Sequence, residues 1–217
     1  MSHCISLLVI LLVSAVFASG SAWAAGEPIE LPKPRTEGGM PLMEALAKRA
    51  SARAYSEKEL PLQTLSDLLW AAAGINRPES GMRTVPSAMN WQPVCVYAVL
   101  KTGAYRYDEK ANALTPVAEG DLRALTGTQD FVADAPLNLV YVADYDKMEG
   151  LKGNAAWALA SAEMGFISQN VYLFCASEGL STVVRGLVDR EALGKALNLS
   201  ESQHVVYAQT VGYPKEE

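Results

Sequence analysis

Histidine is almost missing from this 217-residue chain: His3 precedes an apolar N-terminal run and His204 opens the apolar stretch "HVVYAQTV". A Ser/His/Asp triad or a histidine-rich zinc site would have to be built on His204 alone, which reads instead as a strand-end residue. Neither Gly-x-Gly-x-x-Gly nor Gly-x-x-x-x-Gly-Lys occurs, so the dinucleotide fingerprint and the P-loop are both absent. Positive charge is the minority sign: 18 Lys and Arg against 24 Asp and Glu leave a net charge of -6. General affinity for nucleic acid, which depends on neutralising phosphates, is therefore not expected. Cysteine is scarce, with three in the chain. Cys4 lies ahead of the apolar run and is not placed as a lipid anchor. Cys95 and Cys175 could pair in an oxidising compartment, but each sits in an apolar predicted element where a free buried thiol is the expectation. Internal repeats and low-complexity segments are also lacking.

What is present is ordinary globular composition, half apolar and about a fifth charged. The length suits one domain, which at this size buries about 70% of its unfolded surface. The beginning, "MSHCISLLVILLVSAVFASGSAWAAGEPIELP", carries an apolar run from Ile5 to Phe17 and then small residues. This is short for a membrane span and suited to a signal peptide over residues 1–24, cut after Ala24, with export to a periplasmic or extracellular location. No Lys or Arg precedes the run, and an uncleaved anchor is the competing reading. Residues 25–39, "AGEPIELPKPRTEGG", have no periodicity and read as an extended arm. The folded domain occupies 40–217.

Within it, "PLMEALAKR" and "PLQTLSDLLWAAAG" place leucines at helical spacing behind an initial proline, the second with Gly74 as its stop. "VCVYAVLK" and "PLNLVYVAD" read as buried strands, with "GAYRYDEKANALTPV" turning between them around Asp108 to Asn112 and "DLRALTG" adding a helical turn. "GNAAWALASAEMGFISQNVYLFCAS", Gly153 to Ser177, is the longest helix, with Glu163 its one charge. Its polar centre favours a core helix over a membrane span, one buried on several faces and able to pack against a second subunit. "LSTVVRG" predicts a strand, "DREALGKAL" a helix and "VVYAQTVGY" a last strand. The order defines an α+β sheet flanked by helices.

Three stretches carry candidate chemistry. In "KRASARAY", Arg49, Ser51 and Arg53 alternate; in extended chain they share a face and form a phosphate clamp, whereas on a helix end they would be a solvated basic cap. "RTVPSAMNWQP" holds stiff hydroxyl, amide and aromatic groups at a strand mouth, as a planar polar ligand requires. "EGLSTVVRGLVD" lets backbone amides approach a ligand between glycines, although a glycine after a helix is also a simple cap.

Together, and with the closing "VGYPK", these stretches resemble the nitroreductase family of flavin enzymes from about Pro41 to Lys215. The likeness is nearest to the branch holding the dehydrogenases of thiazole and oxazole peptide maturation. The resemblance implies a mainly antiparallel central sheet, a homodimer and FMN as cofactor. On it, Arg49 and Ser51 match positions that hold the FMN phosphate. Arg53 matches the cation near the ribityl chain and the N1/O2 edge. Pro86, Ser87, Asn90 and Gln92 match the segment that reaches the flavin from the partner subunit. Val184, Arg185 and Gly186 match the segment whose backbone amides face N5. Lys215 stands in for a terminal basic residue that this chain lacks. Arg185 occupies a position usually apolar or small, as a substrate-pocket residue or in a surface salt bridge; Trp91 is a pocket platform or dimer packing.

The implied activity is ping-pong hydride transfer through flavin N5 between NAD(P)H or another reductant and a small nitro, quinone or similar acceptor. No catalytic side chain is implied and no metal. If the chain is exported, NAD(P)H is scarce, so an electron-relay module or a substrate dehydrogenase using another partner are the alternatives.

Overall fold

The computed structural model describes residues 26–215; the signal-peptide reading of 1–24 lies outside them. Nine strands and four α-helices follow one another: β1 Ile29–Glu30, α1 Leu42–Lys48, α2 Leu62–Ala73, β2 Ile75–Arg77, β3 Met82–Arg83, β4 Val94–Leu100, β5 Gly103–Asp108, β6 Ala113–Glu119, β7 Leu137–Asp144, α3 Gly153–Glu178, β8 Ser181–Arg185, α4 Arg190–Ala196 and β9 Gln203–Gly212. Seven strands form one antiparallel sheet in the order β1-β6-β5-β4-β7-β9-β8.

Alternation along the strands splits the core between the two faces of this sheet. Val94, Val96, Ala98, Leu137, Leu139 and Tyr141 pack under α2 and α3. Cys95, Tyr97, Val99, Val140 and Val142 pack against Leu193 and Leu197 on the α4 side. Both faces of β4 and β7 are covered, which is why those segments read as unbroken apolar runs. Cys95 and Cys175 are free and buried.

The arm is extended but stitched down. Ile29 and Glu30 pair with β6, Ser66 Oγ donates to Pro32 O at 2.5 Å, and Arg35 donates to both Asp67 carboxylate oxygens at 2.7 Å. Glycine acts differently at two helix ends. Gly74 keeps an extended φ of -67° but approaches Trp70 so closely that a Cβ would strike its backbone. Gly179 takes the left-handed φ of 69° that ends α3, as glycine allows.

The long helix is buried along one half, from Ala156 and Ala160 through Met164, Ile167 and Val171 to Cys175. The other half, including Ala158, Ala162 and the 47%-exposed Phe166, is uncovered, and Leu42, Met43 and Leu46 of neighbouring α1 are exposed beside it. Apolarity around the helix therefore produces one core face and one apolar surface. Among the described residues no helix is long and apolar enough to cross a membrane.

Candidate active site

α1 ends at Lys48, and Arg49, at φ -53° and ψ 120°, begins an extended segment. Ala52 N donates to Thr182 O at 3.0 Å, docking this segment along the outer edge of β8. The Tyr172 hydroxyl on α3 joins the two pieces: it accepts from Val184 N at 2.9 Å and shares a 2.9 Å hydrogen bond with Ser51 Oγ. The Arg49 guanidinium lies 5.3 Å from the centre of the same ring, within cation–π range. Tyr172 is thus a site residue that sequence reading missed, because an aromatic in an apolar helix looks like core.

The C-terminal strand closes the same corner. Ser56 N donates to Tyr213 O at 3.0 Å and Tyr55 bridges Pro214, so Lys215 follows directly on a pairing with the segment that carries Arg53. Among the described residues, Arg49, Arg53 and Lys215 have no carboxylate partner. In a chain of net negative charge, this corner gathers three cations that no described carboxylate pairs with, as an anion site requires.

Thr182 and Val184 spend backbone groups on partners outside the sheet, so the even-numbered residues of β8 face outward. Val184 C=O and Gly186 N–H continue that row. From Thr182 to Gly186 the strand advances about 13 Å, which separates an anion-holding end from a backbone-lined end. Beside Gly186, Arg190 donates to Gly186 O at 3.4 Å and its guanidinium lies 5.4 Å from the Trp157 ring and 5.9 Å from that of Tyr207. A Cβ on Gly186 would sit 3.0 Å from Tyr207, so the turn is closely fitted there.

The segment Pro86–Gln92 is a polar knot held by one carboxylate. Glu163 Oε1 accepts from Ala88 N at 2.8 Å and from Ser87 Oγ at 3.1 Å, and Ser87 Oγ accepts from Gln92 N at 2.8 Å. Gln92 Nε2 donates to Gly81 O and Asn90 Oδ1, both at 2.9 Å. Met89, Asn90 and Gln92 have φ of 51°, 55° and 47° around a right-handed Trp91 at -66°, a cluster of left-handed positions that non-glycine residues hold when their surroundings impose it. Burial raises the Glu163 pKa; the hydrogen bonds from Ala88 and Ser87 and the Arg83 charge oppose that rise. A lone carboxylate in an apolar helix was the available signal for this anchor. Pro86 and Asn90 are exposed, while Trp91 is half-buried against the core of its own chain.

Glu163 and Tyr172 are nine residues apart on α3, about 14 Å along its axis and on opposite sides. Within the chain, therefore, the knot and the Arg49–Arg53 corner border different edges of the helix.

Arg185 departs from both sequence expectations. Its side chain is neither in a surface salt bridge nor on the Tyr172 side of β8; it is buried on the opposite face, among Thr126, Asn138 and Thr210. Its backbone, odd-numbered in β8, turns inward opposite Ala208 of β9.

The fold is an α+β antiparallel sheet with helices on both faces, its edge strand β8 bordered by the segment that carries Arg49 and Arg53. The family model described as "Nitroreductase family" matches residues 46–213, and the chain belongs to that family. A candidate nitroreductase of Methanocaldococcus jannaschii is 31% identical over 186 residues, covering 81% of this chain and 93% of that protein. The crystal structure of a candidate nitroreductase from Ralstonia eutropha is similar with a TM-score of 0.84 and 42% identity, over 88% of this chain and 90% of that one. The NADPH:FMN oxidoreductase of Vibrio harveyi, solved with NAD+, shares the fold at a TM-score of 0.61 and 19% identity, over 81% of this chain and 69% of that one.

Proposed function

We propose that the protein is an FMN-dependent oxidoreductase that passes hydride from a reduced donor to a small organic acceptor such as a nitro compound or quinone, in two successive half-reactions. The observation that carries this reading is the corner where Ser51, Tyr172 and Val184 meet, with Arg49 and Arg53 lacking acidic partners among the described residues. It fits a ligand with an anionic tail at one end of β8 and a hydrogen-bonding planar head at the other. FMN has that form, and its N5 supplies the hydride chemistry that the amino acids lack.

In this reading Arg49 and Ser51 hold the phosphate, Ser51 already oriented by Tyr172, and Lys215 adds charge from the chain end. Arg53 lies toward the ribityl chain and the N1/O2 edge, where a cation favours the electron-rich ring. In the segment Val184, Arg185 and Gly186, the outward groups Val184 C=O and Gly186 N–H, on either side of Arg185, would face N5. Pro86, Ser87, Asn90 and Gln92 come from a second copy, and the apolar surface of Phe166, Leu42, Met43 and Leu46 supports such a homodimer. Trp91, packed on its own core, acts by holding that segment. The apolar N-terminus supports export, and with it a donor other than NAD(P)H.

The purified protein is expected to be yellow, to release FMN on heating and to rebind it with a dissociation constant below about 1 μM. Replacing Arg53 or Arg49 with Ala should weaken FMN roughly 10–100-fold, the range of a charge-assisted hydrogen bond, and riboflavin much less. Colourless protein that cannot be reconstituted with FMN would overturn the reading. Anaerobic bleaching by NADH or NADPH identifies the donor; yellow protein that neither bleaches requires another one.

A further inference from the structure

Arg185 is only 4% exposed, yet its guanidinium meets no negative charge. Nε donates to Thr210 Oγ1 at 2.9 Å, Nη1 to Thr126 O at 2.7 Å, and Nη2 to Asn138 Oδ1 at 2.9 Å and Thr126 Oγ1 at 3.3 Å. All four acceptors are neutral, and among the described residues no carboxylate pairs with it. Burial lowers its pKa to about 10, so it is still a cation at neutral pH. Gly127 leaves it room, since a Cβ there would collide with Nη1.

The position of the charge is defined by the sheet. Thr210 on β9 pairs with Val183 of β8 on one side and Asn138 of β7 on the other, so the guanidinium lies beneath β9, level with the middle of β8. A buried ion without a counter-ion is costly, and an apolar side chain would fill the same space more favourably. Asx and hydroxyl partners satisfy its hydrogen bonds but leave its field uncompensated.

We propose that Arg185 is a positioning charge for redox poise: without touching the cofactor, it favours the reduced form bound along β8 over the oxidised form. This role rests on the FMN reading above. Two-electron reduction by the donor leaves the ring more negative, because fewer protons than electrons are taken up at neutral pH. A fixed cation about two strand spacings from the outer edge of β8, about 10 Å, acting through an effective dielectric near 20, favours that state roughly tenfold. Unlike exposed Arg53, this buried charge is poorly screened by salt.

The test is the midpoint potential of the bound flavin in wild type, Arg185→Met, Arg185→Lys and Asn138→Asp. Asn138→Asp keeps the acceptor for Nη2 and supplies a counter-charge, while losing the 2.8 Å hydrogen bond from Asn138 Nδ2 to Val132 O. Arg185→Met and Asn138→Asp should each lose about tenfold more affinity for reduced than for oxidised FMN, a fall of about 30 mV in the two-electron couple. Arg185→Lys should keep the wild-type potential. A role in packing alone would weaken both redox forms alike and leave the potential where it was; unchanged potentials in Arg185→Met and Asn138→Asp overturn the proposal. If Arg185→Met does not fold, Asn138→Asp carries the same decision. Wild-type protein that binds no flavin would instead fail the FMN reading itself, and this role with it.

Discussion

Replacing Tyr172 with Phe isolates the hydroxyl that joins the two halves of the corner. The ring remains, so the packing of α3 and the contact with the Arg49 guanidinium are retained. Two 2.9 Å hydrogen bonds disappear, from Val184 N and with Ser51 Oγ. Ser51 is exposed and can turn to water, so its loss is small. Val184 N is different, because a half-buried backbone donor without an acceptor costs about 1–3 kcal/mol. The expected destabilisation is therefore about 1–2 kcal/mol, or about 2–8 °C in Tm for a domain of this size. Urea unfolding should show a lower midpoint with an unchanged slope, and amide exchange at Val184 should accelerate selectively. Ser51→Ala should cost only about 0.5 kcal/mol, since Tyr172 still accepts from Val184. A Tyr172→Phe variant as stable as wild type, with Val184 exchange unaltered, would refute the view that this hydroxyl holds β8 to the Arg49–Arg53 segment.

Glu163→Leu orphans Ala88 N and the Ser87 hydroxyl while the left-handed positions remain, and should cost about 2–4 kcal/mol; limited proteolysis should then cut between residues 86 and 92. Glu163→Gln keeps an acceptor at Oε1 and should stay within about 1 kcal/mol of wild type. Burial raises the Glu163 pKa above 4.5, so its ionised form costs stability at neutral pH, and protonation relieves that cost as pH falls through the folded value. The advantage of Gln over Glu, read from urea midpoints, should accordingly shrink on acidification; a constant difference would contradict the sign. Sedimentation should find a dimer in wild type, and a shift to monomer with loss of flavin in the Phe166→Asp, Met43→Asp double variant; a monomeric flavin-loaded wild type would remove the two-copy site.

Local pattern fixed most of the architecture. Short β-branched and aromatic runs at Val94–Leu100 and Leu137–Asp144, helical spacing behind Pro41 and Pro61, and the turn before Asn112 are all short-range signals, and the elements stand where these signals put them. The two-residue β1 and the β2–β3 ribbon were not legible, because segments that short show no period and form through what they pair with. Residue types in order also carried the family resemblance, since Arg-x-Ser-x-Arg and Pro-Ser-Ala-x-Asn-x-Gln are runs of neighbouring residues. The sequence could not say what those runs would touch. That Ser51 meets Tyr172 and Ser87 meets Glu163 depends on one helix, α3, 76 or more residues away. Arg185 shows the limit most directly: alternation places Val184 and Arg185 on opposite faces of β8, but only the neighbours in the folded sheet decide which face holds the flanking helix. Through that choice the cation ended among Thr126, Asn138 and Thr210. Chain-local chemistry determined what each segment could do, and tertiary packing decided which groups would be buried together and which charges would remain without partners.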